Sequence, residues 1–282
     1  TCMLAPDGAG LVQIPASWTS VPKEAFYTCL ALKKVTFAAN CVVTSIGASA
    51  FQDSNIQSID IPASVLTIGS SAFFSIHLLT TLTFAANSKL TSIASNAFAN
   101  TGIVSVSFPP SLTSIGNTAF SNNSPKLTTV NFGTNSALTD IGQRAFSPSK
   151  LSVVTIPKSV KKIGSYCFKN SILMTALTVA DDSALTSIGE DVCAHNLKMT
   201  KIDFGANSVL SSIGNSAFYG TGITSLTIPG TVKTIGNYAF QKCAKLKVVT
   251  IGEPSFLDYI GNYVFSETAI TSLVIPGSVR FI

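Results

Sequence analysis

The chain has 282 residues, of which 46% are hydrophobic and only 11% are charged, and its net charge is +5. This composition excludes an intrinsically disordered chain, which would be charged and poor in aliphatic residues. The lysines are scattered as pairs such as Lys33–Lys34 and Lys161–Lys162, so a basic nucleic-acid-binding tail is not indicated. No apolar stretch reaches the ~18 residues that span a bilayer, and no signal peptide is visible. Because the chain starts at Thr1 and stops at Ile282 within a repeat, we expect a fragment of a longer protein.

Self-similarity is the dominant feature of the chain after its first ten residues, which we interpret as an N-terminal cap (residues 1–10). The phrase Ile-Gly-x-x-Ala-Phe, complete or degenerate, returns every 22 to 26 residues. Its copies begin at Val21, Ile46, Ile68, Ile93, Ile115, Ile141, Ile163, Ile188, Ile213, Ile235 and Ile260, and Ile282 begins a truncated twelfth. A fixed period of this length predicts a solenoid over residues 11–282 with about twelve repeats.

A second phrase, L-x-x-L-x-Φ with Φ as Ile, Phe or Val, lies between the copies of the first. Leu79-x-x-Leu82-x-Phe84 is an example, and its last two apolar positions have the period of two that is typical of a strand. We therefore predict an α/β-type repeat solenoid. It has one parallel sheet of about twelve short strands and an opposite wall that is mostly irregular or short-helical.

The repeats alternate between two lengths, which differ in the residues after the strand. Short repeats have proline directly after Φ, which ends strand pairing there, and Ser or Thr two residues further on. Long repeats have Asn three residues after Φ, at Asn40, Asn87, Asn135 and Asn207. These polar residues are predicted to bind backbone groups that the bend leaves unpaired and to stack as a ladder. The glycine after each Ile is predicted to allow a conformation that other residues resist.

These two phrases carry a resemblance to a known family. L-x-x-L-x-Φ-x-x-N is similar to the leucine-rich-repeat signature, and L-T-S-I-G-x-x-A-F, as at Leu112–Phe120, resembles the BspA-like subfamily. The resemblance covers residues 11–282. It implies a surface-exposed protein of a bacterium or a mucosal protozoan parasite that attaches to host cells, matrix proteins or other microbes.

The exposed face of the predicted sheet is the primary candidate for binding. Its central column contains no aromatic residue and few charges, and short polar side chains on a rigid sheet lose little entropy when they bind a flat polar partner. The alternative is that threonine serves only strand propensity and solubility. The column reads Thr36, Asp60, Thr83, Ser107, Asn131, Thr155, Thr178, Asp203, Thr227 and Thr250.

One repeat breaks the pattern and is a secondary candidate. The alternation fails where the strands ending at Val179 and Phe204 are both of the long type, and the unit at Ile188 lacks the Ala-Phe pair. It carries four carboxylates, Asp181, Asp182, Glu190 and Asp191, which lack the ligand spacing of a Ca²⁺ loop. We interpret them as a solvated acidic loop, and we predict no metal site.

Covalent features are few. Cys2 and Cys29 both precede a strand on the same edge and are the better candidates for a disulfide, with free thiols as the alternative, because Cys29 and Cys41 flank a strand at opposite ends. Cys167 and Cys193 fall in the Ala and Phe columns and are predicted to be buried. The sequon at Asn122 is a candidate glycosylation site.

Catalysis is not predicted, and neither is a cofactor. His77 and His195 are five turns apart, roughly 24 Å at ~4.8 Å per turn, so they share no substrate atom. We therefore predict an extracellular or cell-surface adhesion module that binds a protein or glycoprotein, such as host matrix or a cell surface, through the sheet face. The alternative is a structural, self-associating coat protein. No nucleic acid and no membrane span are expected in either case.

Overall fold

The computed structural model describes residues 2–123 and 126–282, and within these ranges every regular element is a β-strand. The chain winds through about 11 turns of a parallel-strand solenoid, which confirms the predicted repeat fold. It forms two compact units, one ending at Leu138 and the other spanning Thr139–Ile282. Each unit is built from three walls, which we call the long-strand wall, the two-residue wall and the turn wall.

The first unit has six long strands and five two-residue strands. Its long-strand wall consists of β1 (Leu11–Ile14), β3 (Lys34–Phe37), β5 (Ser58–Ile61), β7 (Thr81–Phe84), β9 (Ser105–Ser107) and β11 (Thr129–Asn131). Its two-residue wall is the continuous parallel ladder of β2 (Ser20–Val21), β4 (Ser45–Ile46), β6 (Thr67–Ile68), β8 (Ser92–Ile93) and β10 (Ser114–Ile115).

The second unit repeats this plan. Its long-strand wall consists of β13 (Val153–Ile156), β15 (Ala176–Val179), β17 (Lys201–Asp203), β19 (Ser225–Ile228) and β21 (Val248–Ile251). Its two-residue wall consists of β12 (Asp140–Ile141), β14 (Lys162–Ile163), β16 (Ser187–Ile188), β18 (Ser212–Ile213), β20 (Thr234–Ile235) and β22 (Tyr259–Ile260). The two predicted phrases therefore supply one strand each to every turn.

The turn wall corrects one part of the prediction, because no helix occurs in the described ranges. Where short helices were expected, every second residue donates its backbone N–H to the next turn, as Ser49, Phe51 and Asp53 do to Ser70, Ala72 and Phe74. The residue before each Ala-Phe pair has a positive φ, for example 52° at Ser49. Bonds between turns thus replace the bonds within a helix that this wall would otherwise need.

The glycine after each Ile serves close approach rather than an unusual φ. A Cβ added to Gly47 would lie 2.5 Å from the backbone nitrogen of Lys23, in the preceding turn. At Gly214 it would lie 2.6 Å from backbone atoms of Gly189. Neither glycine has a positive φ, so the predicted reason for these glycines was wrong.

The bend asparagines have a backbone role that was not predicted, although Asn207 Nδ2 also donates to Asp182 in the bend of the preceding turn (3.0 Å). Asn40, Asn87, Asn135 and Asn207 are exposed and have φ between 52° and 58°. Asparagine tolerates this left-handed conformation better than most residues, so it forms the bend through its backbone. In short repeats the hydroxyl does contact the preceding turn. Ser64 Oγ donates to the carbonyl of Val43 (2.7 Å), and Thr231 Oγ1 donates to that of Leu210 (2.9 Å).

Stacked phenylalanines fill the core behind the turn wall. In the first unit Phe26, Phe51, Phe73, Phe98 and Phe120 form an unbroken column with ring centroids 4.9 to 5.2 Å apart. In the second unit Phe146 stacks on Phe168, and Phe218, Phe240 and Phe265 form a separate stack. Cys193 occupies the column position between these two stacks and is fully buried.

The start of the first unit is held by a disulfide between Cys2 and Cys29, whose Cα atoms are 5.2 Å apart. The backbone N–H of Met3 also donates to the carbonyl of Ala25. Cys41 is a free, half-buried thiol, and Cys167, Cys193 and Cys243 are free and buried. Burial raises the pKa of all three buried thiols.

Candidate binding face on the long-strand wall

The predicted central column lies on the outer surface of the long-strand wall, and strand pairing sets its register. In the first unit Asp60 pairs with Thr83, and Ser107 pairs with Asn131. In the second unit Thr155 pairs with Thr178, Thr178 with Asp203, and Thr227 with Thr250. Thr36, Thr178 and Asp203 are half-buried, and the other seven residues of the column are exposed.

The charged and amide members of this column are held in place by neighbouring groups. Thr83 Oγ1 donates to Asp60 Oδ1 (2.9 Å), which links two adjacent strands. Asn131 Oδ1 accepts the N–H of Gly133 (2.9 Å) in the bend that follows its strand. These bonds fix side-chain orientation before any partner arrives, which lowers the entropic cost of binding.

Asp203 has the most elaborate environment in the column. Its Oδ1 accepts the N–H of Gly205 (3.1 Å), and its Oδ2 lies 3.1 Å from Lys201 Nζ. The Gly205 N–H and the Lys201 ammonium hold the pKa of the Asp203 carboxyl below its usual value. The face therefore carries a fixed carboxylate at neutral pH, partly neutralised by a lysine on the same strand.

The long strands separate wherever a short-type strand follows a long-type strand within a unit. β3 and β5 share a single paired position, Lys34 with Ser58, whereas β1 and β3 share four. Among the described residues, β7 is adjacent to β9 and β17 to β19 without a ladder between them. The second strand of each junction is followed by a proline, at Pro62, Pro109 and Pro229. Since proline has no N–H, the bond that would close the junction at that point cannot form.

Grooves open on the face at two of these separations and beside the last long strand. The groove between β3 and β5 has a volume of about 770 Å³ and is lined by Lys34, Thr36, Phe37, Asp60 and Thr83, among others. A groove of about 550 Å³ lies between β17 and β19, and one of about 410 Å³ lies beside β21. The predicted column thus borders concave sites, which periodicity alone did not indicate.

The four acidic residues of the irregular repeat are separated into two pairs. Asp181 and Asp182 lie in the bend after β15, where they accept the Ala206 N–H (2.7 Å) and the Asn207 Nδ2 (3.0 Å). Glu190 and Asp191 follow β16 on the turn wall. In the described ranges no group of three or more His, Cys, Asp or Glu residues could hold a metal ion.

Glu190 and Asp191 bind side chains of the preceding turn. The Tyr166 hydroxyl donates to Glu190 (3.2 Å), and Lys169 Nζ lies 3.1 Å from Asp191. Arg144 and Lys169 both lie over the Tyr166 ring, 4.8 and 5.1 Å from its centroid. The bond to Glu190 and its negative charge raise the pKa of Tyr166. These carboxylates therefore have structural partners, which the acidic-loop interpretation did not foresee.

A buried polar column was not predicted from the sequence. Asn196 Oδ1 accepts the Ser171 N–H (2.8 Å), and its Nδ2 donates to the Phe168 carbonyl (3.0 Å). Asn123 makes the equivalent bonds in the first unit, to the Thr101 N–H (2.7 Å) and the Phe98 carbonyl (3.0 Å). Both asparagines are fully buried. The available signal was a small polar residue three positions after most core phenylalanines.

The remaining candidates are surface features. Asn122 is exposed with a φ of 56°, and the serine that completes its sequon lies outside the described residues. His77 is exposed in the first unit. His195 is exposed in the second unit, where its ring packs edge-on against Tyr219 at 5.2 Å.

Comparison with known protein families decides the classification. The family model for the BspA type leucine rich repeat region, which comprises six repeat copies, matches residues 10–128, 91–211 and 181–282. The chain belongs to this BspA-type family. Members are typically surface-exposed, and leucine-rich-repeat proteins are generally non-enzymatic. Comparison with curated proteins found no significant match.

Solved structures of bacterial proteins are similar to this BspA-type chain. The pneumococcal vaccine antigen PcpA is 25% identical with a TM-score of 0.55, over 99% of this chain and 76% of that one. A leucine-rich-repeat protein from Bacteroides ovatus is 20% identical with a TM-score of 0.63, over 96% and 76%. One from Eubacterium ventriosum is 22% identical with a TM-score of 0.58, over 95% and 86%. The last two show the fold alone.

The described part of this BspA-type chain contains no helix that is long and apolar enough to cross a membrane.

Proposed function

We propose that this BspA-type chain is a non-catalytic recognition module at the cell surface, which binds a protein or glycoprotein partner through its long-strand wall. The observation that carries the proposal is the exposed column of short polar side chains, held in register and bordered by grooves. The likeness to a pneumococcal vaccine antigen supports placement of such a module outside the cell.

The chemistry of the column favours a broad polar partner. Hydroxyls of Thr83, Thr155 and Thr227 both donate and accept hydrogen bonds, and each has only one side-chain rotor to immobilise. The backbone beneath them is fixed by parallel pairing, so binding requires little ordering of the module. Repeated display of modest contacts would give avidity on a cell or matrix surface.

The grooves would supply anchor points on this otherwise flat surface. A protein partner gains most of its affinity from a few side chains buried in pockets near the centre of the interface. The groove between β3 and β5 offers the half-buried ring of Phe37 beside the polar rim of Asp60 and Thr83. A partner side chain inserted there would contact the apolar ring and the polar rim of the groove at the same time.

The proposal is tested by direct binding to purified matrix glycoproteins and to epithelial cells. The wall variant combines Thr36→Ala, Asp60→Ala and Thr83→Ala. The matched control combines Thr67→Ala, Ser92→Ala and Ser114→Ala, which remove outward hydroxyls from the two-residue wall of the same unit. Circular dichroism checks that both variants fold.

We expect saturable binding by the unmodified protein. The wall variant should weaken it by at least about 10-fold, corresponding to 1.4 kcal/mol, and the control variant should retain it. Equal loss in both variants would move the site away from the long-strand wall. An absence of binding, together with concentration-dependent sedimentation, would overturn the proposal in favour of a self-associating coat protein.

A further inference from the structure

A column of residues on the turn wall of the second unit changes abruptly in size. Backbone bonds place its members in register. Tyr166 N–H donates to the Glu190 carbonyl, Asp191 to Asn215, Ser216 to Asn237 and Tyr238 to Asn262, at 2.7 to 2.9 Å. In order of turns the column reads Tyr166, Asp191, Ser216, Tyr238 and Tyr263. Ser216 is the smallest member, with larger side chains on both sides.

The small side chain of Ser216 leaves a notch between its neighbours. Asp191 and Tyr238 are two turns apart, which is roughly 10 Å at the spacing of parallel strands. The Asp191 carboxylate does not fill this space, because it is bonded to Lys169 in the preceding turn. One six-membered ring fits between the two levels at contact distances of about 3.5–4 Å.

Tyr238 forms one side of the notch. One face of its ring stacks on Tyr263, with centroids 5.6 Å apart and planes 3° from parallel. Because the two rings are parallel, the opposite face looks along the column towards the turn of Ser216, and Tyr238 is 40% exposed. The stack holds the ring in one orientation, so the face over Ser216 is a fixed aromatic platform.

Asparagines occupy the column next to the notch, directly before Ser216 and Tyr238 in the sequence. Asn215 Oδ1 accepts the Asn237 N–H (2.8 Å), and Asn237 Oδ1 accepts the Asn262 N–H (2.8 Å). Each oxygen is therefore committed to the backbone of the next turn, which fixes the rotation of the amide. Within the described ranges the Asn215 Nδ2 group has no protein partner, and the residue is exposed. Its two N–H donors remain available in the column next to the platform.

We propose that this notch binds a neutral hexopyranose. The C–H face of a pyranose ring carries partial positive charge and stacks on the negative face of an aromatic ring. Its equatorial hydroxyls accept hydrogen bonds from fixed amide donors such as Asn215 Nδ2. A neutral sugar fits, because the carboxylate at the edge of the notch, Asp191, is already paired with Lys169. This site is on a different wall from the proposed protein-binding face and does not rest on it.

The test uses saturation-transfer NMR with free glucose, galactose, mannose and their N-acetylated forms as probes. Ser216→Tyr fills the notch, and tyrosine is accepted there because Tyr166, Tyr238 and Tyr263 adopt the same positive φ in this column. Asn215→Asp keeps the oxygen that accepts the Asn237 N–H and removes the outward donor. Ser71→Tyr makes the same change at the equivalent position of the first unit, where φ is 56°, and is the control.

We expect saturation transfer to at least one hexose, with a Kd that Ser216→Tyr raises by at least 10-fold and Asn215→Asp by at least 3-fold. Ser71→Tyr should leave the Kd unchanged, which shows that a folded turn wall with an added tyrosine still binds. Transfer to none of the hexoses, or transfer that Ser216→Tyr leaves intact, would overturn the proposal. So would an equal loss in the Ser71→Tyr control.

Discussion

The phenylalanine columns of the two units differ in one respect that shows what a repeat must preserve. In the first unit five rings stack without interruption from Phe26 to Phe120. In the second unit the turn at Ile188 has Cys193 where the other complete turns have Phe, and Val192 in the column that most turns fill with Ala. Both residues are fully buried, so the core closes around the smaller side chain.

Several contacts surround the turn that lacks the ring. Phe204 packs edge-on against Phe218 at 6.2 Å, and Met174 and Met199 are fully buried in the neighbouring leucine positions. Asn196 bonds back to the preceding turn, and Lys169 ties Asp191 to the same turn on the surface. Methionine adapts its shape to irregular gaps, which suits a turn of unusual composition. A turn therefore tolerates the loss of its ring while its core stays closed to solvent and its backbone bonds to both neighbouring turns are kept.

The largest expected contrast is in thiol reactivity. Cys193 is fully buried, its pKa is raised by burial, and its turn is bonded to both neighbours, whereas Cys41 is half-buried. Modification of Cys193 requires local opening, which for a core segment costs several kcal/mol and lowers the rate by about 1000-fold or more. Mass spectrometry after timed alkylation measures both rates. Comparable rates would mean that the irregular turn opens readily.

Under denaturing, non-reducing conditions four thiols should react, because Cys2 and Cys29 are joined.

Truncation of a ring in the unbroken column should have the largest effect on stability. Phe73 is fully buried between two stacked rings, so Phe73→Ala should lower the free energy of unfolding by about 3–5 kcal/mol. Cys193→Ala removes one sulfur atom and should cost less than half as much. Urea titration of both variants, monitored by circular dichroism, makes the comparison. Equal costs would mean that the interrupted column depends on Cys193 as strongly as the unbroken column depends on a ring.

The buried asparagines should have intermediate effects. Asn196→Ala removes both bonds of the buried amide and leaves the Ser171 N–H only its 3.3 Å bond to the Phe168 carbonyl, which should cost about 1–3 kcal/mol. Asn123→Ala removes the equivalent bonds in the first unit and should cost a similar amount. Urea titration of the two variants distinguishes two roles. A much larger cost at Asn196 would indicate that it compensates for the missing ring, while equal costs would indicate a general device of the turn.

The smallest effect is expected on the long-strand wall. Thr155 is exposed and points away from the core, so Thr155→Ala should change the free energy of unfolding by less than about 0.5 kcal/mol. Thr178→Ala, on the paired neighbouring strand, gives a second measurement of how much a threonine of this wall contributes to stability. A loss above about 2 kcal/mol at Thr155 would show that the column has a structural role.

Periodicity predicted the parts of this molecule that repeat strictly. Strand positions such as Leu82 and Phe84, the buried Ala-Phe pair and the outward column all follow from apolar residues that recur at fixed offsets. These features depend on burial, which hydrophobic spacing reports directly. The boundaries of the cap and of the repeats remain predictions from the same spacing.

Features that depend on contact between turns were harder to predict. Gly47 looked like a conformational glycine, but its φ is ordinary and the constraint comes from the backbone of Lys23 in the turn before. Asn40 looked like a ladder residue because asparagine both binds backbone groups and tolerates a positive φ, and the sequence does not distinguish the two. The separation of β3 from β5 depends on Pro62 meeting a long-type neighbour. Each of these features depends on which residues of neighbouring turns are stacked on one another. The sequence of a single repeat does not contain that information.

The direction of the backbone bonds has an electrostatic consequence. On the turn wall N–H groups point forward along the chain, as Phe51 donates to Ala72, whereas the two-residue wall bonds in both directions, since Gly47 donates backward to Val21 and Ile260 donates forward to Phe281. The N–H dipoles of the turn wall are therefore aligned along the coil, while those of the two-residue wall partly cancel. An α-helix also aligns its dipoles and accumulates about half a charge of opposite sign at each end. In this coil such partial charges would be confined to the ends of the turn wall, where positive charge gathers at the exposed N–H groups.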